Sequence, residues 1–118
     1  MIMIDFIKID NKIDKITEIV DYKYMYKLNK DNKTIGYGTI NNDEENGIFI
    51  YIEKESRGNG YGRELFLKIL EEMKKEGYKE VKIIFNRENI QMLKIVTKEG
   101  GLHISSMDEN VQYVVPIK

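Results

Sequence analysis

Residues 48–72 read IFIYIEKESRGNGYGRELFLKILEE, from Ile48 to Glu72. An apolar run suited to a strand enters a glycine-rich turn, and the turn opens directly into an amphipathic helix. A strand–turn–helix junction of this kind is an anion-binding arrangement. The helix start presents unpaired backbone N–H groups and a partial positive charge, so a phosphate placed there gains hydrogen bonds and favourable electrostatics together. Gly58, Gly60 and Gly62 let the backbone approach a bulky ligand and take conformations closed to other residues. Behind the turn, Leu65, Phe66, Ile69, Leu70 and Met73 recur at helical spacing and predict a helix pinned to a core. The dinucleotide fingerprint G-x-G-x-x-G needs glycine where Arg63 stands, and the Gly-Lys-Ser/Thr of a Walker loop is absent. The plainer reading is a turn that merely joins a strand to a helix, but alternating glycines followed by an exposed helix start are more than a connector needs.

Composition bounds what such a loop serves. With 118 residues and 42% hydrophobic content, a single domain over residues 1–118 is expected. Lysine plus arginine number 19 against 20 aspartates and glutamates, so no global field favours nucleic acid or an anionic membrane. The absence of cysteine excludes a disulfide framework, a thiolate metal site and a cysteine-acyl intermediate. With one histidine a multi-histidine centre is excluded too, and no carboxylate spacing points to a metal. No apolar run approaches the roughly 20 residues that span a bilayer, and the opening MIMIDFIKID lacks the zones of a signal peptide. The expectation is a soluble, cytoplasmic protein with neither nucleic acid nor membrane as partner.

Taken in order, IMIDFIKI at 2–9 predicts a strand, and Ile13, Ile16, Ile19 and Val20 predict one short helix from Asn11 to Val20, with Asp10 or Asn11 as its N-cap. Tyr22, Tyr24, Tyr26 and Leu28 alternate with Lys23, Met25 and Lys27, a period of two that calls for a strand with one aromatic face. Such a face could stack bases, but the balanced charge argues against a nucleic-acid surface. The turn Lys30-Asp31-Asn32-Lys33 leads to a strand over 34–41, and NNDEENG is the polar turn into the strand at 48–53, completing an antiparallel meander. After the helix from Tyr61 to Glu76, closed by Gly77, VKIIF at 81–85 predicts a buried central strand reached by a right-handed parallel crossover. Ile90, Leu93, Ile95 and Val96 mark a helical face over 89–99, stopped by Gly100 and Gly101. LHISS and VQYVVPI form a last hairpin across Met107-Asp108-Glu109-Asn110.

Arg57-Gly58-Asn59-Gly60-Tyr61-Gly62 resembles the R/Q-x-x-G-x-G/A signature of the GNAT superfamily of N-acetyltransferases, where this loop wraps the pyrophosphate of acetyl-CoA. The order β-α-β-β-β-α-β-α-β-β is similar to the fold of that family over nearly the whole chain: an α/β architecture with a mixed sheet, an acyl-CoA N-acyltransferase fold. Family members usually carry two helices between the first two strands, and residues 11–21 have room for one. The resemblance therefore implies a shortened N-terminal helical region and an acceptor site that is open there or completed by another subunit. It also implies acetyl-CoA as cosubstrate, with no metal. Ile50, Tyr51 and Ile52 would pair with the pantetheine arm, and Arg57, Gly58, Asn59, Gly60, Tyr61, Gly62 and Arg63 would surround the pyrophosphate. Asn89, followed by an apolar stretch and Gly100, matches a further family element and is a candidate pantetheine contact; its other reading, compatible with the first, is a plain helix N-cap.

An alkyl ammonium, with a pKa of about 10.4, must lose a proton before it attacks a thioester, so a base is required. Glu53, at the end of the strand that would face the thioester, leads; a partly buried carboxylate favours its neutral form and is suited to take that proton. Its other reading is a solvated strand-end glutamate. The Tyr51 hydroxyl is second, against its reading as a packing aromatic. The family's proton-donating tyrosine falls on Val96, which cannot donate, leaving solvent, Thr97, Ser105 or Tyr113. Gly101 stands where the family has phenylalanine, and His103 reads as a structural or exposed residue. The function implied is transfer of acetyl from acetyl-CoA to a primary amine by direct attack in a ternary complex, the acceptor being a small molecule or a protein. The alternative is a catalytically weak acyl-CoA-binding or assembly module of the same fold. Exposed strand edges and the terminal hairpin suit a homodimer.

Overall fold

A computed structural model describes residues 4–10 and 21–118; the helix expected over residues 11–20 lies outside them. The strands are β1 (Ile4–Asp10), β2 (Tyr22–Lys30), β3 (Lys33–Asn41), β4 (Ile48–Ile52), β5 (Glu80–Asn86), β6 (Leu102–Met107) and β7 (Asn110–Pro116), with helices α1 (Tyr61–Lys75) and α2 (Ile90–Lys98). Among the described residues this is the element order that the sequence predicts. The hairpin from β2 to β3 turns on Asp31 (φ +50°) and Asn32 (φ +66°), the paired left-handed conformation that matches strand twist. Gly77 takes φ +90° just beyond α1, and the N–H of Tyr78 returns to the Met73 carbonyl at 3.1 Å, which closes the last turn.

Pairing is where the structure departs from expectation. The strands form two sheets, β1-β2-β3-β4 and β5-β7-β6, and every ladder in them is antiparallel. Instead of continuing one sheet, β4 and β5 share no ladder among the described strands. The turn just before β4 is tied to β5: the Gly47 N–H donates to the Lys82 carbonyl at 2.7 Å, and the Ile84 N–H donates to Asn46 Oδ1 at 3.0 Å. Gly47 permits that approach, because a Cβ there would meet Val81 Cγ2 at 2.6 Å. Beyond the tie the strands separate. VKIIF is therefore laddered on one side only, with Val81 and Ile83 buried.

α1 holds the two sheets together. Tyr61, Leu65, Phe66, Ile69, Leu70 and Met73 are its buried residues, each side chain contributing about 2 kcal/mol of burial before entropy is charged against it. Gly38 of β3 makes room for them, since a Cβ there would meet Ile69 Cδ1 at 2.5 Å. Tyr22 and Tyr26 of β2 are core residues, and so is Met25 from the opposite phase of the strand, where a bulge shifts the register between Tyr22 and Tyr24. Burial, with the charges of Glu72 and Glu76, pushes the Tyr26 phenol well above its ordinary pKa. On α2 the buried residues are Met92 and Val96; Ile90, expected on the buried face, is half exposed because it opens the helix before the chain reaches the core.

Candidate active site

Past the tie, the end of β4, the glycine loop and the start of α2 enclose a cavity of about 580 Å3, lined by Ile50, Tyr51, Ile52, Ser56, Arg57, Gly58, Gly60, Tyr61, Gly62, Asn89, Gln91 and Met92. That volume is typical of ligand sites. Residues 57 and 89 are remote in sequence, and the crossover through α1 and β5 brings them to one opening.

The loop presents its backbone. Gly58 and Gly60 take φ +83° and +81°, and a Cβ at either would meet nothing within 4 Å, so the loop borders open space and owes its course to glycine's freedom. Gly60 is the N-cap of α1 and supplies no side-chain hydrogen bond. The first N–H groups of the helix are thus left to a ligand or to water, with the positive end of the helix dipole behind them. Asn59 braces the loop instead of lining the cavity, its Nδ2 donating to the Ser56 and Arg57 carbonyls at 3.1 and 3.3 Å. Arg57 Nε donates to the Ile52 carbonyl at 2.8 Å, and its guanidinium lies 5.7 Å from the Tyr51 ring centroid. Arg63 is one helical position further, ion-paired to Glu99 at 3.4 Å and outside the lining.

The wall opposite the loop is α2. Asn89 caps it, Oδ1 accepting the Met92 N–H at 3.0 Å, which is the N-cap reading, and the same residue lines the cavity. Gln91 and Met92 belong to the wall through that cap, which turns the first residues of α2 toward the opening; a polar residue and a methionine directly after a predicted N-cap carry no signal of this on their own. Ser56 likewise lines the cavity without any signal of its own in the sequence.

Glu53 lies outside the lining. Its N–H donates to the Ile35 carbonyl at 2.8 Å, while Oε1 accepts from the Ser56 hydroxyl at 2.9 Å and stands 3.6 Å from Lys33 Nζ. Ser56 therefore connects that carboxylate to the cavity. Tyr51 does line the cavity, and its ring packs 5.4 Å from that of Tyr37. Val96 is fully buried and turned toward Gly101, whose N–H donates to the Val96 carbonyl at 2.9 Å. Of the other hydroxyls considered, Thr97 donates to the Leu93 carbonyl at 2.8 Å, Ser105 to Gln112 Oε1 at 3.2 Å, and Tyr113 stacks on Phe85 at 5.6 Å; none lines the cavity. Among the described residues no group of three or more acidic or histidine side chains is placed to hold a metal, and no helix is long and apolar enough to cross a membrane.

A chain of residues 6–96 matches the family described as acetyltransferase (GNAT) family. Solved structures share the fold. A putative acetyltransferase from Acinetobacter baylyi superposes with a TM-score of 0.74 at 11% identity, over 98% of this chain and 94% of that one. A putative acetyltransferase from Salmonella typhimurium, solved with its cofactor acetyl-CoA, gives 0.68 at 10% identity, over 80% of this chain and 65% of that one. A ribosomal-protein-alanine N-acetyltransferase from Brucella melitensis gives 0.66 at 14% identity, over 80% and 68%. Among curated proteins none matches the chain.

Proposed function

The chain belongs to the acetyltransferase (GNAT) family, and on that premise we propose that it moves an acetyl group from acetyl-CoA to the nitrogen of a primary amine, by direct attack with both substrates bound. The observation that carries this reading is the continuity of one cavity from the uncapped start of α1, past the end of β4, to the start of α2. A pyrophosphate at the α1 N-terminus meets free N–H groups and a favourable dipole, with Arg57, Gly58, Gly60, Tyr61 and Gly62 around it, Asn59 bracing the loop and Arg63 adding positive charge nearby. Ile50, Tyr51 and Ile52 offer main-chain donors and acceptors to a pantetheine arm, and Asn89 contributes from the far wall. Ile50, Ile52 and Met92 supply apolar surface that excludes water. Acetyl-CoA supplies an activated acyl group: a C–N bond forms as the C–S bond breaks, the amine gives up one proton, and the departing thiolate takes one.

For the amine proton, the bond from Ser56 to Glu53 offers a relay, with the serine hydroxyl at the cavity and the carboxylate behind it; the Tyr51 hydroxyl is the second candidate. For the thiolate, Val96 offers nothing, and water serves. The acceptor is a small molecule or a protein, and the Brucella neighbour is named for the alanine of a ribosomal protein.

The test is calorimetric titration with acetyl-CoA beside adenosine diphosphate and desulfo-CoA, followed by thiol release with an amine panel. Micromolar binding that needs the pantetheine arm is expected; no binding at millimolar acetyl-CoA defeats the reading. The burial of Val96, with Thr97, Ser105 and Tyr113 away from the cavity, favours one rival, an acyl-CoA-binding module of weak catalysis. Binding without amine-dependent thiol release is its signature.

A further inference from the structure

Gly47 divides its backbone between the two sheets. Its N–H donates to the Lys82 carbonyl of β5 at 2.7 Å, while its carbonyl accepts from the Asn41 N–H of β3 at 2.9 Å. A residue laddered to a parallel neighbour does otherwise: it donates to one residue of that neighbour and accepts from the residue two further along. For Gly47 that second bond would come from the Ile84 N–H. Ile84 donates instead to Asn46 Oδ1 at 3.0 Å. A side-chain oxygen thus stands where a strand carbonyl would, and a side chain, unlike a strand, has no next residue to offer. The Ile84 N–H is satisfied, so no buried donor is left seeking a partner, and the pairing goes no further.

Asn46 is held in place for this. Its carbonyl accepts from Asn41 Nδ2 at 2.9 Å, and its N–H reaches the Asp43 carbonyl at 3.2 Å. On the other side, the Glu45 carbonyl accepts a 2.9 Å bond from Nε2 of Gln112, a buried residue of β7. Both sheets therefore grip the turn. From Gly47 to the cavity at Ile50 and Ile52 is about 10–17 Å of strand, and a ladder advancing along it would bring β4 and β5 to about 4.8 Å apart, with no room for a ligand chain between them. We propose that Asn46 is a positioning residue for the cofactor: by giving Ile84 its acceptor, the Asn46 side chain stops the pairing of β4 with β5 at the turn and keeps open the gap that takes the pantetheine arm. This rests on the acetyl-CoA reading of the cavity.

The experiment compares the wild-type chain with Asn46→Asp, which keeps an acceptor oxygen in place, and with Asn46→Ala and Asn46→Ser, which withdraw it. Each protein is titrated calorimetrically with acetyl-CoA and, by displacement, with adenosine diphosphate, which has no pantetheine arm; thermal melts report folding. In Asn46→Ala and Asn46→Ser, acetyl-CoA affinity is expected to fall by about fivefold or more, the scale of one hydrogen bond, with adenosine diphosphate affinity unchanged. Asn46→Asp is expected to keep both. A merely structural role would lower the two affinities together or leave both alone. Unchanged acetyl-CoA affinity in both loss variants overturns the proposal, as does a parallel loss of both ligands, loss of the fold in both variants, or a fall in Asn46→Asp as large as in Asn46→Ala. Those outcomes leave the acetyl-CoA reading standing, whereas wild-type protein that fails to bind acetyl-CoA removes both.

Discussion

The Nε–H of Arg57 donates a 2.8 Å hydrogen bond to the carbonyl of Ile52. The residue that opens the glycine loop is thereby fastened to the last residue of the strand before it, and the loop's first turn has a fixed origin. Arg57→Ala removes this charge-assisted bond together with a positive charge at the cavity. Acetyl-CoA affinity is expected to fall by about tenfold or more, the loss of one charge-assisted contact to a pyrophosphate, while the lost internal bond appears as lower stability. Arg57→Lys restores charge without the planar Nε donor and should recover only part of the loss. Calorimetric titration of the three proteins decides it; equal affinities would remove Arg57 from the site.

Gly60 and Gly62 test the loop in different ways. Gly60 sits at φ +81°, so any side chain there strains the backbone, while Gly62 has an ordinary φ and a Cβ on it would meet Ile95 Cδ1 at 3.6 Å, a normal contact. Gly60→Ala is expected to lower stability by about 1–2 kcal/mol as well as to disturb the loop. Gly62→Ala should keep the melting temperature and still weaken acetyl-CoA, because its methyl group is added at the cavity wall. Thermal melts alongside titrations separate the two, and tight binding by a normally stable Gly62→Ala would refute close backbone approach at that residue.

Gly101 is required by its contact with α2. A Cβ there would lie 2.4 Å from Val96 Cγ1 and 2.7 Å from the Val96 carbonyl oxygen, and a backbone atom cannot step aside cheaply. Gly101→Ala is expected to cost about 1–3 kcal/mol, read as a lower midpoint in urea. Val96→Tyr should be at least as damaging, since the fully buried valine has no room around it for a ring. A tyrosine tolerated at 96 with faster acetyl transfer would show that this position reaches the cavity after all.

Acid should loosen the α1 surface in a defined direction. The hydrogen bond from Lys68 holds the Glu72 carboxyl below its ordinary value of 4.5, assisted by the charges of Lys68 and Lys75 and opposed by partial burial; Lys68 Nζ lies 3.1 Å away. A carboxylate with a depressed folded pKa binds fewer protons folded than unfolded, so its contribution is present above about pH 4.5 and is lost as pH falls through the folded value. In Glu72→Gln that part of the acid dependence is expected to vanish. Urea midpoints between pH 6 and pH 3 measure it, and identical slopes for both proteins would refute the coupling.

What the sequence discloses here is local. The helical spacing of Leu65, Phe66, Ile69, Leu70 and Met73 names the buried face of α1, and the structure adds Tyr61 to it. The positive φ of Asp31 and Asn32 follows from their residue types in a tight turn. By contrast, IFIYI and VKIIF are both apolar runs, and nothing in either says that they will stay apart, because pairing is decided by distant partners. Asn46 and Gly47, two residues of a polar turn, tie the two segments at one point only. The site divides in the same way. Arg57 to Gly62 is a contiguous motif and could be singled out; Gln91 and Met92 reach the cavity only through the placement of α2. Ile90, apolar and in phase with its helix, is half exposed since a first-turn residue projects past the body it would pack on.

Because β4 is laddered to β3 alone among the described strands, its other margin is a row of amide hydrogens and carbonyl oxygens facing the gap. Such a row is the same whatever side chains the strand carries. Selection acting on a ligand gripped this way has little purchase on individual residues of β4, so a strand can exchange nearly all its letters and keep its hold.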